Sequence, residues 1–369
     1  MKSLFVLDPY AFQRIYGSQE QADIGSLVEV IGPPLSAKTC ASRADLLAQV
    51  EIIFSGWGAP LMNAAFLDSA PHLKAIFYGA GAISGWATQE IWERGIVISS
   101  AYAANARPVA EYTLGTILFS LKQGWSLARQ LREKHAYVSG DHAPGCYQSA
   151  VGLISLGVIA QRVIELLKPL DLDVLLYDPF ATAEEAERLG VQRASLDEIF
   201  FRSDVVSLHT PLLDETVGLI NGDHFASMKP GSTFINTARG RIVRENEMID
   251  VLMRRPDLQA VLDITDNEPT EPDSALYTLP NVVLTPHIAG SVGRECRRMG
   301  RYMIEELKRF LAGESLQWEI TPDLAAKSSH RLLHRTATGA RPLSDISITI
   351  AGNVKTSRDE LIFPSAPLL

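Results

Sequence analysis

The stretch Val151-Gly152-Leu153-Ile154-Ser155-Leu156-Gly157-Val158-Ile159-Ala160 carries an apolar run into a turn and then into a helical apolar pattern. A strand feeding a helix through a tight turn is how backbone closes around a dinucleotide pyrophosphate. The turn needs a small first residue, a second without Cβ for close approach, and a third small enough for helix packing. Gly157 and Ala160 fill the second and third places, and Ser155 stands in the first. The helix opening at Val158 and Ile159 then aims unpaired N–H groups at phosphate. Asp178 ends the next apolar run about 20 residues on, where a carboxylate accepts from ribose hydroxyls and repels a 2′-phosphate, so NAD is expected over NADP. Ser155 departs from the pattern, and a side chain in a strained turn costs on the order of 1 kcal/mol. Taken alone, the stretch is equally compatible with a loop glycine at 157 and a turn carboxylate at 178 before Pro179.

Outward from this turn, short apolar runs alternate with helix-like segments. Runs at 151–156, 174–177, 205–208, 233–236, 260–263 and 282–285 predict six strands, the number in a doubly wound nucleotide-binding sheet. Upstream, runs at 4–7, 52–54, 75–78 and 96–98 predict a first α/β layer. A helix is expected over 105–131, with Arg107-Pro108 supplying its start. A closing helix at 294–311 and a run at 316–320 return the chain toward the first layer. The expected fold is α/β with two domains: residues 1–102 and 289–328 form one, residues 103–288 the other.

The 369 residues suggest two or three domains at roughly 150 residues each. With 46% hydrophobic and 21% charged residues the composition is that of an ordinary globular protein. A net charge of −9 argues against a nucleic-acid surface or an anionic membrane as partner. The three cysteines, Cys40, Cys146 and Cys296, are far apart and form no CxxC pair, which disfavours a disulfide framework or zinc finger and fits a reducing compartment. The apolar run after Lys2 stops at Asp8, short of a signal sequence. Residues 150–160 are too few to cross a bilayer that needs about 20. The expectation is a soluble, cytoplasmic chain.

Three strand ends carry complementary chemistry: Asn236-Thr-Ala-Arg-Gly240, the segment 263–269 with Glu268, and Thr285-Pro-His-Ile-Ala-Gly290. Carboxyl ends of parallel strands line one crevice, so Arg239, Glu268 and His287 can converge on one ligand. A guanidinium fork holds a carboxylate bidentately. An imidazole near neutral pKa can exchange the proton of a carbinol, and a neighbouring carboxylate favours the imidazolium. Each residue alone reads more readily as a surface charge, a loop residue or a satisfied strand-end histidine. The three together, beside a hydride acceptor, make a 2-hydroxyacid oxidation site.

With Tyr78-Gly-Ala-Gly81, Asn105-Ala-Arg-Pro-Val-Ala-Glu111, Tyr177-Asp-Pro179, His209-Thr-Pro211, Met228-Lys-Pro-Gly231, Glu268-Pro269 and the segment 281–290, the chain resembles the D-isomer-specific 2-hydroxyacid dehydrogenases over about residues 1–325. The resemblance implies a central Rossmann NAD domain, a flavodoxin-like substrate domain from both chain ends, a cleft site between them and a homodimer. It implies His287 as acid/base, Glu268 as its partner and Arg239 as carboxylate anchor. It also implies backbone contacts to substrate from Gly79, Ala80 and Gly81, and cofactor contacts from Thr210, Thr237, Ala238, Asp263 and Gly290. The family's NAD-sensing corepressors make a regulatory protein on the same fold the alternative, and a formate dehydrogenase fits less well because Glu268 serves proton transfer.

Departures accompany the matches. Leu170-Asp171-Leu172 stands where the family commonly has a helix-ending glycine. Residues 329–369 carry five Lys/Arg against three Asp/Glu and predict a poorly ordered tail. No metal site is expected: His330 and His334 lack a third ligand, and His135, Asp141, His142 and Cys146 fit loop structure better. Trp86, Trp92 and Trp125 read as core or interface anchors. The substrate's side chain is not specified, although Tyr78, Ala82, Ile83 and Trp86 are placed to shape a pocket.

Overall fold

The computed structural model describes residues 1–327. Two parallel sheets organise them. The first contains β1 (Lys2–Val6), β2 (Glu29–Val30), β3 (Ile52–Ser55), β4 (Ala75–Tyr78) and β5 (Val97–Ser100), in the order β2-β1-β3-β4-β5. The second contains β6 (Ser149–Ile154), β7 (Leu172–Tyr177), β8 (Gln192–Arg193), β9 (Val205–Leu208), β10 (Thr233–Asn236), β11 (Gln259–Leu262) and β12 (Val282–Leu284), in the order β12-β11-β10-β9-β6-β7-β8. A sheet covered by helices on both faces needs strands apolar on both faces. Accordingly β3, β4, β9, β10 and β11 are buried at every position.

The tail expected at 329–369, with His330 and His334, lies outside the described residues. Two strands escaped the sequence reading: β2 and β8 are two exposed residues each, too short to show a period. The helix expected over 105–131 is two helices, Tyr102–Leu121 and Gly124–Lys134. Pro108 lies inside the first and does not open it, because Tyr102 to Ala106 already wind as helix with Ala104 and Ala106 buried. Between the two, Gln123 takes φ 49, and its amide reaches the Gly231 carbonyl at 3.3 Å. Among the described residues no helix is long and apolar enough to cross a membrane.

The helix Glu295–Ala312 runs back against the first sheet. Its Gly300 lies against backbone, since a Cβ there would come within 2.3 Å of the Ile15 carbonyl oxygen. Beyond it, Ile320 N–H donates to Ile98 O at 2.8 Å and Ser100 N–H to Trp318 O at 3.1 Å, which fastens the returning chain to β5. Buried Glu306 supports that closure by accepting Ser99 Oγ, Gln317 N–H and Trp318 N–H.

In the second sheet, β6 lies between β9 and β7, so the connections from β6 and β9 leave in opposite directions. That reversal opens a crevice at the carboxyl ends of the two strands. Residues 155–157 follow β6 and residues 209–211 follow β9, so both segments border it.

Candidate active site

Ser155 leaves β6 with φ +78, inside the left-handed region that the missing glycine would enter freely. Gly157 is the N-cap of helix Val158–Leu167, and a Cβ built on it meets nothing within 4 Å. The space beside the first helical N–H groups is therefore open. Asp178 is more occupied than the sequence reading assumed. One carboxylate oxygen accepts Leu156 N–H at 2.7 Å and Ser155 Oγ at 3.3 Å, and the other accepts Phe180 and Ala181 N–H. It braces the turn, and a ribose hydroxyl reaching this carboxylate would displace the weakest of the four, the 3.3 Å bond from Ser155 Oγ.

Across the crevice, Thr210 Oγ1 after β9 and Thr237 Oγ1 after β10 are buried and have no hydrogen-bond partner. Buried hydroxyls left unpaired are costly, so their presence at neighbouring strand ends marks a place where a ligand completes them. A dinucleotide fits here. His209 beside them is buried, shares a hydrogen bond between Nε2 and Ser207 Oγ at 3.1 Å, and is pushed by burial down to about 4. It stays neutral at ordinary pH.

Replacing Ser155 by glycine removes the strained φ, about 1 kcal/mol, and also the long 3.3 Å bond to Asp178, about 0.5 kcal/mol. The strain is the larger effect. The Ser155→Gly protein should melt slightly higher and bind NAD more tightly by calorimetry; weaker binding would mean that the hydroxyl itself serves the ligand.

Glu268 and His287 form a hydrogen-bonded pair, with His287 Nδ1 2.9 Å from Glu268 Oε1. The hydrogen bond to Glu268 raises the pKa of His287 above its ordinary value, against partial burial and the nearby positive charge of Arg239. Both side chains stay open to solvent, 53% and 39% exposed, so the Nε2 edge of the imidazole is free for a ligand. Arg239 is half-buried, and burial lowers its pKa while the charge of Glu268 works in the other direction. The three side chains therefore share one local field.

His287 sits at φ +53, a conformation that must be held in place. Asp263, buried at the end of β11, holds it. Its backbone oxygen accepts His287 N–H at 3.1 Å, and its carboxylate accepts Thr285 Oγ1 and the N–H groups of Ile288 and Ala289. Tyr112 Oη meets Thr285 Oγ1 at 2.9 Å and braces the same loop. Sequence reasoning placed Asp263 against the cofactor; the structure gives it this clamping task.

Sequence reasoning quoted Gly240 and Asn105 within motifs without giving either a task, and passed over Glu245. A Cβ on Gly240 would lie 2.0 Å from the Thr265 carbonyl carbon, so the turn carrying Arg239 lies directly on the loop that leads from β11 to Glu268. Glu245 accepts Asp266 N–H at 2.8 Å and steadies that segment. Asn105 Oδ1 accepts Ser291 N–H at 2.9 Å, and its Nδ2 lies 3.5 Å from where a Gly81 Cβ would be. Asn105 thus joins the His287 loop to residues 79–81. In that loop Gly79 N–H is already spent on Ser55 O at 2.8 Å, which removes one of the three expected amide donors. Ser100 Oγ donates to the carbonyls of Ala80 and Gly81, so the trans peptide planes turn the following N–H groups the opposite way.

Doubly wound sheet, open helix N-terminus and unpaired strand-end hydroxyls define a dinucleotide-binding α/β protein. Residues 114–289 match the sequence model of the D-isomer specific 2-hydroxyacid dehydrogenase NAD binding domain. The chain is 31% identical, over 76% of its length and 54% of the relative's, to a D-3-phosphoglycerate dehydrogenase of Archaeoglobus fulgidus. It is 35% identical, over 59% of its length and 71% of the relative's, to an (S)-sulfolactate dehydrogenase of Chromohalobacter salexigens. Among solved structures, the apo D-mandelate dehydrogenase of Rhodotorula graminis superposes with a TM-score of 0.72 at 25% identity, covering 87% of this chain and 97% of that one. The chain spans about half the length of the phosphoglycerate dehydrogenases it matches. It belongs to the D-isomer-specific 2-hydroxyacid dehydrogenase family, whose cofactor is NAD.

Proposed function

We propose that the chain is an NAD-dependent dehydrogenase interconverting a D-2-hydroxy acid and its 2-oxo acid. The observation that carries this reading is the Glu268–His287 pair at 2.9 Å in the field of Arg239, at strand ends bordering the dinucleotide crevice. Bound NAD supplies the hydride acceptor, and NADH the donor. Arg239 holds the substrate carboxylate through its guanidinium fork, helped by the amides of residues 80 and 81. His287 Nε2 takes the hydroxyl proton during oxidation and returns it during reduction. Glu268, hydrogen-bonded to Nδ1, fixes the ring orientation and stabilises the imidazolium. Ser155, Gly157, Val158, Ile159, Asp178, Thr210, Thr237, Ala238, Asp263 and Gly290 line the cofactor's place in this reading.

Residues 1–102 with 289–328 make the substrate domain in this reading, and residues 103–288 the cofactor domain. The helix Gly124–Lys134 buries none of its own residues, and Leu131 is 51% exposed. An amphipathic helix left uncovered in this way suits a homodimer contact. We place the enzyme in the cytoplasm, as its three free cysteines suit a reducing compartment.

Purified chain given NADH and a panel of 2-oxo acids tests the assignment at 340 nm. Oxidation of NADH by at least one of them is the expected result. Tight NADH binding with no turnover across the panel would overturn it in favour of an NAD(H) sensor on the same fold.

A further inference from the structure

We propose that Arg14, presented by Tyr10 and Trp57 beside Ser291, is a second anion anchor that selects substrates bearing a negative charge on C3: a carboxylate, sulfonate or phosphonate. The proposal rests on the dehydrogenase reading and names the substrate class of the same site.

Arg14 projects from the helix Pro9–Ile15 and is half-buried. Its guanidinium carbon stands 5.2 Å from the centroid of the Tyr10 ring and 5.4 Å from that of Trp57. Stacking on aromatic faces holds a guanidinium in place while its N–H donors, which lie in its own plane, remain available. Among the described residues Arg14 has no ion pair. Its partners are weak ones: Nη2 makes a long hydrogen bond to the Ser291 carbonyl at 3.3 Å, and the guanidinium also meets the buried thiol of Cys296. Of the two carboxylates nearest in sequence, Asp8 is spent as N-cap on Tyr10 and Ala11 N–H, and Glu20 on Gly17 N–H and Arg301. A half-desolvated, pre-oriented guanidinium without a counter-charge is what bidentate recognition of an anion requires.

Its surroundings place it in the substrate crevice. Ser291 lies four residues beyond His287, and its own hydroxyl is buried with no partner. Ser291 N–H is bound to Asn105, which reaches Gly81. On the other side, Ile15 and Tyr16, the residues after Arg14, pack so closely under Gly79 that a Cβ there would lie 2.7 Å from each. Trp57 follows β3, whose last residue Ser55 pairs with Tyr78 just before that glycine. Arg14 thus stands between the His287 loop and the 79–81 loop. With Arg239 on the C1 carboxylate, a second cation here complements charge on the far end of a three-carbon acid.

The test compares kcat/KM for oxaloacetate and 3-sulfopyruvate with that for 2-oxobutanoate, which matches oxaloacetate in carbon number without the second charge. The wild type should prefer the charged pair by about tenfold or more, and Arg14→Gln should abolish the preference while leaving 2-oxobutanoate unchanged. Arg14→Lys, which keeps the charge without the fork, should retain part of it. An unchanged preference in Arg14→Gln, or an equal fall for all three acids in a protein of unaltered melting temperature, would overturn the proposal. If no oxo acid turns over, the dehydrogenase reading fails separately. The subsite is then judged by fluorescence titration of NADH-loaded protein with D-malate and with D-2-hydroxybutyrate: tighter malate binding that Arg14→Gln removes supports it, and equal binding overturns it.

Discussion

Replacing His287 by asparagine should lower the rate of oxo-acid reduction by about a thousandfold, the scale of a lost general acid, and leave NADH affinity within about twofold. Asparagine is the informative choice because it tolerates the positive φ that residue 287 adopts, whereas alanine would add strain to the test. The loop itself is held by Asp263 through backbone N–H groups and Thr285, none of which involves the imidazole. The fold should therefore persist, and the loss can be read as chemistry. Steady-state rates at 340 nm with NADH fluorescence titration provide both numbers. Substantial remaining turnover would remove His287 from the reaction.

The second large effect belongs to Glu268. Its hydrogen bond raises the pKa of His287, so the imidazolium that donates the proton in reduction persists to higher pH. Reductive activity is then present below the raised pKa and falls as pH climbs through it. Glu268→Gln removes the charge, returns the pKa downward, and moves the descending limb of the reductive profile to lower pH. The ascending limb of oxidation, which needs the neutral ring, moves the same way. At pH 8 the reductive rate should fall by about ten- to a hundredfold, and the gap should narrow in acid. A pH–rate profile of unchanged shape at uniformly lower height would mean that Glu268 only orients the ring.

Much of this was legible in the sequence, because the second sheet is built of parallel strands buried on both faces. Continuous apolar runs mark such strands, and residues following them fall on one edge, which is why Arg239, Glu268 and His287 could be grouped across 48 positions of chain. The first turn was legible too, including the strain at Ser155, because φ preference is a local property. What escaped depends on partners distant in sequence. Asp263 reads as any strand-end carboxylate until its four hydrogen bonds to the His287 loop are seen. Nothing local tells that Arg14 meets Trp57 and Ser291. Pro108 misled for the opposite reason: proline favours a helix start, yet here the helix begins at Tyr102 and carries the proline through its interior.

The central claim, that one guanidinium and one imidazole grip a 2-oxo acid at the dinucleotide crevice, is tested most directly by a crystal structure with NADH and oxamate, an inert mimic of such an acid. The account predicts the oxamate carboxylate on the Arg239 fork and its amide carbonyl oxygen on His287 Nε2, each at about 2.9 Å. Oxamate bound with its carboxylate away from Arg239, or with His287 turned from it, would contradict the account.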